Sequence, residues 1–262
     1  MKKRLLSLAM AASMLFGSAA MLPDGVFTDS TSITVSAADG SVLGDWRYLT
    51  GKENGETVAY ITEYLGNSEV VKIPNSIDKY RVCGMAGAVF KNNTTIKNVT
   101  IPGNISHIMP STFYGCANLE TVIIDYGVKK IWESAFENCT KLSSVSLPDS
   151  IAIIDRWAFC DCKKLKSIVL PIYTSTIGYG AFWNCSSLES ISIPDSVDSI
   201  SSRAFSDCTC LKSVSFPNEL SSIGEAAFFG CTSLESIDIP SVKEITWAAF
   251  EDCCNLKSAI IQ

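Results

Sequence analysis

The chain has 262 residues, of which 47% are hydrophobic, so it carries enough apolar side chains for a substantial core. Its formal net charge is −6. This charge argues against binding to nucleic acid or to anionic lipid, because both need positive charge at the contact surface.

The N-terminus has the layout of a secretory signal peptide. Three basic residues at positions 2–4 precede an apolar run from Leu5 to Leu22. Cleavage fits two places, after Ala20 or after Ala38, and we favour Ala38 because residues 28–36 show no repeat pattern. Residues 1–38 are therefore predicted to be signal peptide and leader, the alternative being an uncleaved anchor. No later apolar segment could span a bilayer, so we expect no membrane insertion after cleavage.

Residues 39–66 lack the repeat that follows them. Two β-rich runs, at 46–49 and 57–61, flank a turn that contains Gly51, Asn54 and Gly55, which is the pattern of a hairpin. A repeat array exposes the core of its first unit unless another segment covers it. We therefore predict that residues 39–66 are an N-terminal hairpin cap.

Residues 67–262 consist of one repeated unit. A phenylalanine marks each copy, and seven intervals separate these residues, six of 23 and a last of 22. They are Phe90, Phe113, Phe136, Phe159, Phe182, Phe205, Phe228 and Phe250. Such a period is typical of a leucine-rich-repeat solenoid. The predicted fold is an α/β repeat solenoid in which each coil has one short parallel strand, often ended by Pro, and a short helical turn at Ala-Phe on the opposite side.

Most of the eleven cysteines belong to the repeat. Seven of them follow each Phe by three residues and are predicted to be buried as small hydrophobic side chains: Cys116, Cys139, Cys162, Cys185, Cys208, Cys231 and Cys253. The others, Cys83, Cys160, Cys210 and Cys254, occupy four different repeat positions. They therefore should not stack into one metal site or disulfide, and their own state is left open.

The residues needed for common catalytic sites are missing. His107 is the one histidine, so neither a His-rich zinc site nor an H-E-x-x-H metalloprotease can form. There is no G-x-S-x-G nucleophile elbow and no phosphate-binding Gly-rich loop. We expect no enzyme activity, no catalytic or metal-binding residues and no cofactor.

Two outer surfaces could bind a partner. One is a hydroxyl-rich position of the strands, preceded by a position where Lys and Glu alternate. The alternative is that these charges only stabilise the pairing of neighbouring strands. The other is formed by aromatic residues outside the Phe column, near the Ala-Phe turn. Its best cluster is Trp132, Trp157, Tyr179 and Trp183, our candidate ligand contact. The alternative is that these rings only shield the coils.

The unit Ala-Phe-x-x-Cys-x-x-Leu-x-x-Val/Ile-x-Leu/Ile-Pro, complete at residues 226–240, resembles the BspA-type subclass of bacterial leucine-rich repeats. The resemblance covers residue 70 to the C-terminus. It implies a protein that is secreted by a bacterium or attached to its surface. It also implies adhesion, because family members with assigned roles are mostly adhesins.

The predicted function is thus non-enzymatic binding of an extracellular protein or glycan. The alternatives are a scaffold domain of a larger surface assembly and an accessory protein that binds polysaccharide. The last residues, 259–262, read as strand with no cap after them. This predicts either end-to-end self-association or a fragment of a longer chain.

Overall fold

The computed structural model describes residues 34–35 and 40–262. The predicted signal peptide and leader lie outside these residues, apart from a two-residue strand. In chain order the strands are β1 Thr34–Val35, β2 Ser41–Leu43, β3 Trp46–Glu53, β4 Glu56–Tyr64, β5 Val70–Lys72, β6 Ser76–Ile77, β7 Tyr80–Met85, β8 Asn98–Ile101, β9 His107–Ile108, β10 Thr121–Ile124, β11 Lys130–Ile131, β12 Ser144–Ser146, β13 Ile153–Ile154, β14 Thr176–Ile177, β15 Ser190–Ser192, β16 Ser199–Ile200, β17 Ser213–Ser215, β18 Leu220–Ile223, β19 Ser236–Ile239, β20 Val242–Ile245 and β21 Ser258–Ile261.

The strands build a leucine-rich-repeat solenoid of about nine turns. On one side, β5, β8, β10 and β12 pair in parallel, and farther along the chain β15 pairs with β17 and β19 with β21. On a second side, β9, β11, β13 and β14 form one parallel sheet and β16, β18 and β20 another. Partners such as Thr121 and Ser144 are 23 residues apart, so each coil stacks in register on the one before it.

The predicted helical turns are wrong, because the described residues contain no helix. In the coil of Phe136, the Ala135 and Cys139 amides donate to carbonyls three residues back, Trp132 and Phe136, at 3.2 Å each. The Glu137 amide also donates three residues back, to Ser134 O, whereas the Phe136 and Asn138 amides donate to the next coil, to Ala158 O at 2.8 Å and Cys160 O at 2.9 Å. This alternation leaves no run of the i to i−4 bonds that define an α-helix.

The backbone conformation of this turn also excludes a helix. Two positions in every coil, two residues before and two residues after the Phe, adopt a left-handed φ; around Phe136 they are Ser134 at 55° and Asn138 at 61°. Left-handed residues interrupt a right-handed helix. The second position is always Asn, Asp or Gly, the residues that tolerate this conformation best: Asn92, Gly115, Asn138, Asp161, Asn184, Asp207, Gly230 and Asp252.

The Phe column forms the centre of the core. The rings from Phe90 to Phe250 stack with centroids 4.8 to 5.4 Å apart and planes within 9° of parallel. All are buried except Phe250, which is half-buried. Parallel rings at this separation must be offset, the arrangement that aromatic quadrupoles favour over a direct sandwich.

The seven cysteines of the repeat are buried beside the Phe column, as predicted. Each thiol points at the carbonyl of the Phe in the preceding coil, at Sγ to O distances of 3.0 to 3.3 Å; Cys185, for example, lies 3.2 Å from Phe159 O. That carbonyl also accepts the amide of the cysteine in its own coil. All eleven cysteines of the chain are free thiols.

The segment before the repeats is an antiparallel hairpin of β3 and β4, which β7 extends in parallel. Its Trp46 and Tyr64 rings pack on Phe90, the first ring of the column, with centroids 6.1 and 5.2 Å away. The hairpin thus covers an apolar ring that would otherwise face solvent. Its role as a cap that ends near residue 66 stays a prediction.

Candidate functional site

An open groove of about 620 Å³ lies on the turn side of the solenoid. Consecutive coils contribute to it from the turns around Phe136, Phe159, Phe182 and Phe205. Its lining residues are Ser134, Glu137, Trp157, Cys160, Asp161, Trp183, Asn184, Asp207 and Thr209. The groove therefore combines two indoles with acidic and amide groups, and no Lys or Arg lines it.

The repeat makes room for the Trp157 ring through a glycine. Gly180 occupies the equivalent position one coil later, where a Cβ would lie 2.9 Å from Trp157 Cδ1. Tyr179 adds an aromatic edge, with its ring centroid 5.6 Å from that of Trp157 and the planes at 84°. Gly180 thus leaves room for Trp157 to pack on Tyr179 of the next coil.

The second indole is fixed by a carboxylate. Trp183 donates from Nε1 to Oδ2 of Asp207 at 2.8 Å, and the Ser206 hydroxyl lies 3.3 Å from the same oxygen. The Arg203 guanidinium carbon lies 5.8 Å from the centroid of the Trp183 ring, which is within the range of a cation–π contact. These contacts orient the indole in a half-buried position.

A row of polar side chains runs along the groove. Asp161, Asn184 and Asp207 occupy the second left-handed position of three successive coils, and Asn184 Nδ2 donates to Asp161 Oδ1 at 2.7 Å. Sequence reasoning did not identify this row as part of a site. The signal was present as the column of Asn, Asp and Gly directly before each repeat cysteine.

Cys160 is the thiol of the groove. Its burial, together with the charges of Asp161 and Glu137, raises its pKa to about 12. The thiol is therefore protonated at neutral pH and is a poor nucleophile. Among the described residues, no three His, Cys, Asp or Glu side chains are grouped so that they could hold a metal ion.

The structure brings together three of the four predicted contact residues. Trp157 and Trp183 line the groove, and Tyr179 packs on Trp157. Trp132 lies elsewhere, directly after β11, with Lys130 Nζ 3.4 Å from its ring centroid and the His107 ring 6.4 Å away. Its repeat position directly follows a strand of the second side, so its ring packs beside β11 and β9 instead of at the turn.

The polar strand surface shows pairing between coils. Lys97 lies 2.9 Å from Glu69, Lys212 lies 3.3 Å from Glu189, and Lys257 lies 3.4 Å from Glu235. All of these side chains are exposed, so water and salt screen each pair and it adds little to stability. The Lys and Glu side chains of this surface thus form ion pairs between neighbouring coils.

The family of the chain follows from the repeats. The model of the BspA type leucine rich repeat region matches residues 85–210 and 175–262, with six copies. This is more than half of the chain, which therefore belongs to the BspA-type leucine-rich-repeat family, as the resemblance predicted.

Two solved bacterial proteins have the same fold. The T. pallidum leucine-rich-repeat protein TpLRR is 29% identical with a TM-score of 0.68, over 74% of this chain and 90% of that one. A leucine-rich-repeat protein from Bacteroides ovatus is 24% identical with a TM-score of 0.58, over 85% of this chain and 76% of that one. No curated protein matches the sequence. In the part of the chain that is described, no helix is long and apolar enough to cross a membrane.

Proposed function

We propose that this chain is a non-enzymatic binding protein, secreted by a bacterium or held at its surface, that recognises an extracellular glycan or protein through the outer faces of its solenoid. The observation that carries the proposal is the groove in which Trp157 and Trp183 lie beside Asp161, Asn184 and Asp207. Indole faces pack on the apolar face of a sugar ring or on an apolar side chain. The carboxylates and the amide can bond hydroxyl or amine groups.

The charge of the groove narrows the chemical class of ligand that it could bind. Three carboxylates, Glu137, Asp161 and Asp207, line it, and no Lys or Arg does. Cations lie at its edge, since Lys163 Nζ is 3.4 Å from Asp161 Oδ1 and the Arg156 and Arg203 guanidinium groups lie beside the two indoles. The acidic lining disfavours a ligand rich in sulfate or carboxylate. We therefore expect neutral glycans, amino sugars or basic protein segments rather than acidic polysaccharides.

The repeat supplies a variant that removes the aromatic groups with little effect on folding. Ser already stands at the equivalent positions of Trp157, Tyr179 and Trp183, as Ser134, Ser202 and Ser206. The triple change Trp157→Ser, Tyr179→Ser and Trp183→Ser therefore uses residues that the fold accepts. The matched control is Trp247→Ser, because Trp247 occupies the repeat position of Tyr179 three coils later, is 74% exposed and lies outside the groove.

The test is a glycan array together with immobilised extracellular-matrix proteins, probed with the natural chain and both variants. We expect the natural chain and the control to bind the same ligand, and the triple variant to lose binding while its circular-dichroism spectrum stays unchanged. Unchanged binding by the triple variant would remove the groove as the site. Failure of the natural chain to bind any ligand would favour the scaffold role.

A further inference from the structure

One coil departs from the repeat at three outward positions. Val169, Ile172 and Tyr173 are 83%, 63% and 67% exposed. The coils on either side carry polar residues at these places: Ser146, Asp149 and Ser150 before, and Ser192, Asp195 and Ser196 after. Within five residues, apolar side chains thus occupy three positions that are polar in the neighbouring coils.

Stability of the solenoid does not explain this replacement. The serines at the position of Tyr173 bond the preceding coil: Ser150 Oγ donates to Val128 O at 2.8 Å, and Ser196 Oγ donates to Ile172 O at 2.9 Å. A tyrosine cannot reproduce that short-range bond with its distant hydroxyl. The exposed Val169 and Ile172 side chains bury little apolar surface in the fold and so gain little from it.

Strand pairing is also lost in this coil. The strand side has a strand in every other coil from β5 to β21, but residues 167–170 form none. Among the described residues, 167–170 make no backbone–backbone hydrogen bond with a neighbouring coil. The coil therefore gives up both side-chain and backbone bonds that its neighbours keep.

The same surface continues toward the N-terminus. Ile123 and Tyr126 occupy the repeat positions of Val169 and Ile172 two coils earlier, and both are exposed. At a strand spacing of about 4.8 Å, the two groups stand roughly 10 Å apart. We call Ile123, Tyr126, Val169, Ile172 and Tyr173 the apolar patch. One polar coil, with Ser146 and Asp149 at these positions, lies between the two groups. Exposed apolar groups rimmed by polar residues are typical of protein-binding surfaces.

Acidic side chains surround the apolar patch. Asp125, Asp149 and Asp195 are exposed. Asp149 and Asp195 share the repeat position of Ile172, with Asp149 in the coil between the two apolar groups, whereas Asp125 is the residue directly before Tyr126. Along the chain, the nearest cations are the exposed Lys129 and Lys166, three residues from Tyr126 and Val169 respectively. Within the described part of the chain, none of the three carboxylates forms an ion pair. Asp195 accepts hydrogen bonds from the backbone amide and Nδ2 of Asn218 at 3.0 and 3.1 Å and keeps its negative charge.

We propose that the apolar patch binds a segment of a partner protein whose apolar side chains are flanked by Lys or Arg. The apolar residues supply the buried area, and the unpaired aspartates select basic flanks. The same charges oppose a second copy as the occupant, because it would bring its own aspartates against Asp149 and Asp195. This surface is separate from the groove, so the two proposals fail independently.

The test uses the full chain and two fluorescein-labelled peptides, one alternating Leu with Lys and one alternating Leu with Glu. Binding is measured by fluorescence anisotropy. The variant Val169→Ser, Ile172→Asp, Tyr173→Ser copies both neighbouring coils and should fold at least as well as the natural chain. We expect the Lys peptide to bind the natural chain, the Glu peptide not to bind, and the variant to weaken binding by about tenfold or more.

Two further variants keep the result interpretable. The single variant Ile172→Asp introduces the aspartate that both neighbouring coils have at this position. It replaces the triple variant in the test if the triple change disturbs folding. The groove variant should bind the Lys peptide as the natural chain does. Equal binding of both peptides, binding of neither, or undiminished binding by the patch variants overturns the proposal. So does sedimentation that shows a dimer of the natural chain and a monomer of the patch variant, since the occupant would then be a second copy.

Discussion

The Phe column and the column formed by the residue two positions before each Phe are neighbours in every coil. The residue type is constant in the first and variable in the second. The first is Phe in all eight copies. The second changes at almost every coil: Ala88, Ser111, Ser134, Trp157, Gly180, Arg203, Ala226 and Ala248. All eight residues of the second column have the same left-handed backbone, with φ between 53° and 61°. Backbone conformation therefore does not fix its residue type.

What separates the two columns is what each side chain contacts. The Phe rings stack on one another inside the coil, so any other side chain would leave a void or a clash between two rings. The side chains of the variable column reach the turn surface, where Trp157 joins the groove and Arg203 covers the Trp183 ring. The constant column thus maintains the solenoid, and the variable column is free to form a binding surface.

The largest effect should come from opening the constant column. Phe159→Ala removes a fully buried ring that stacks on Phe136 and Phe182, and should cost about 3–5 kcal/mol of unfolding free energy. Phe250→Ala is the matched control, because that ring is half-buried and stacks on Phe228 alone among the rings. Urea denaturation followed by circular dichroism compares them. Equal losses would show that ring stacking is not the source of stability.

A smaller effect is expected in the variable column. Gly180→Ala adds a Cβ at φ +57°, 2.9 Å from Trp157 Cδ1, and should destabilise the chain by about 1–2 kcal/mol. The change should also displace the Trp157 indole and weaken ligand binding. Ala226→Gly is the reverse change at the same position, with φ 53°, and should be neutral or slightly stabilising. A loss of stability in both variants would contradict the backbone explanation.

The cysteine column should respond less than the Phe column. Cys185→Ala removes one buried thiol and its bond to Phe159 O, and should cost about 1 kcal/mol, whereas Cys210→Ala at an exposed site should cost almost nothing. Burial raises the pKa of Cys139, Cys162 and Cys185, whereas a hydrogen bond with Cys231 lowers the pKa of Cys253 in the last coil. In native protein, a thiol reagent should therefore label the exposed Cys210 and Cys254 first and these three inner thiols only on unfolding. Rapid native labelling of Cys185 would show that the column opens.

The columns that the sequence repeats were predictable, whereas contacts between different columns were not. The Phe and Cys columns follow from spacing, because identical residues 23 apart must stack in a solenoid. The helical turn was wrong, since the bonds that replace a helix run to the next coil and leave no local pattern except Asn, Asp or Gly before each Cys. Trp132 was misplaced because closeness in sequence does not give the side of the coil on which a ring lies.

The mildest prediction concerns the one histidine. His107 is half-buried beside Lys130 and Lys129, and its Nδ1 lies 2.9 Å from Ser106 Oγ. Burial first, and then the charges of Lys130 and Lys129, lower its pKa from the usual 6.5. The unfolded chain therefore binds a proton at a pH where the folded chain does not, so stability is full above about pH 6.5 and falls as the pH drops below it.

The measurement is the melting temperature at pH 7.5 and at pH 5 for the natural chain and for His107→Gln. Both chains carry the same carboxylates, so their shared pH dependence cancels, and the natural chain should lose slightly more stability on acidification. Lys130 is held in place by a 2.9 Å ion pair with Asp155 and by the Trp132 ring. Asp155→Asn removes the carboxylate that offsets the Lys130 charge, so it should lower the His107 pKa further and increase the difference between the two chains. An equal response of both chains to acid would mean that His107 has the same pKa in the folded and unfolded states. Burial in β9 would then not affect its protonation.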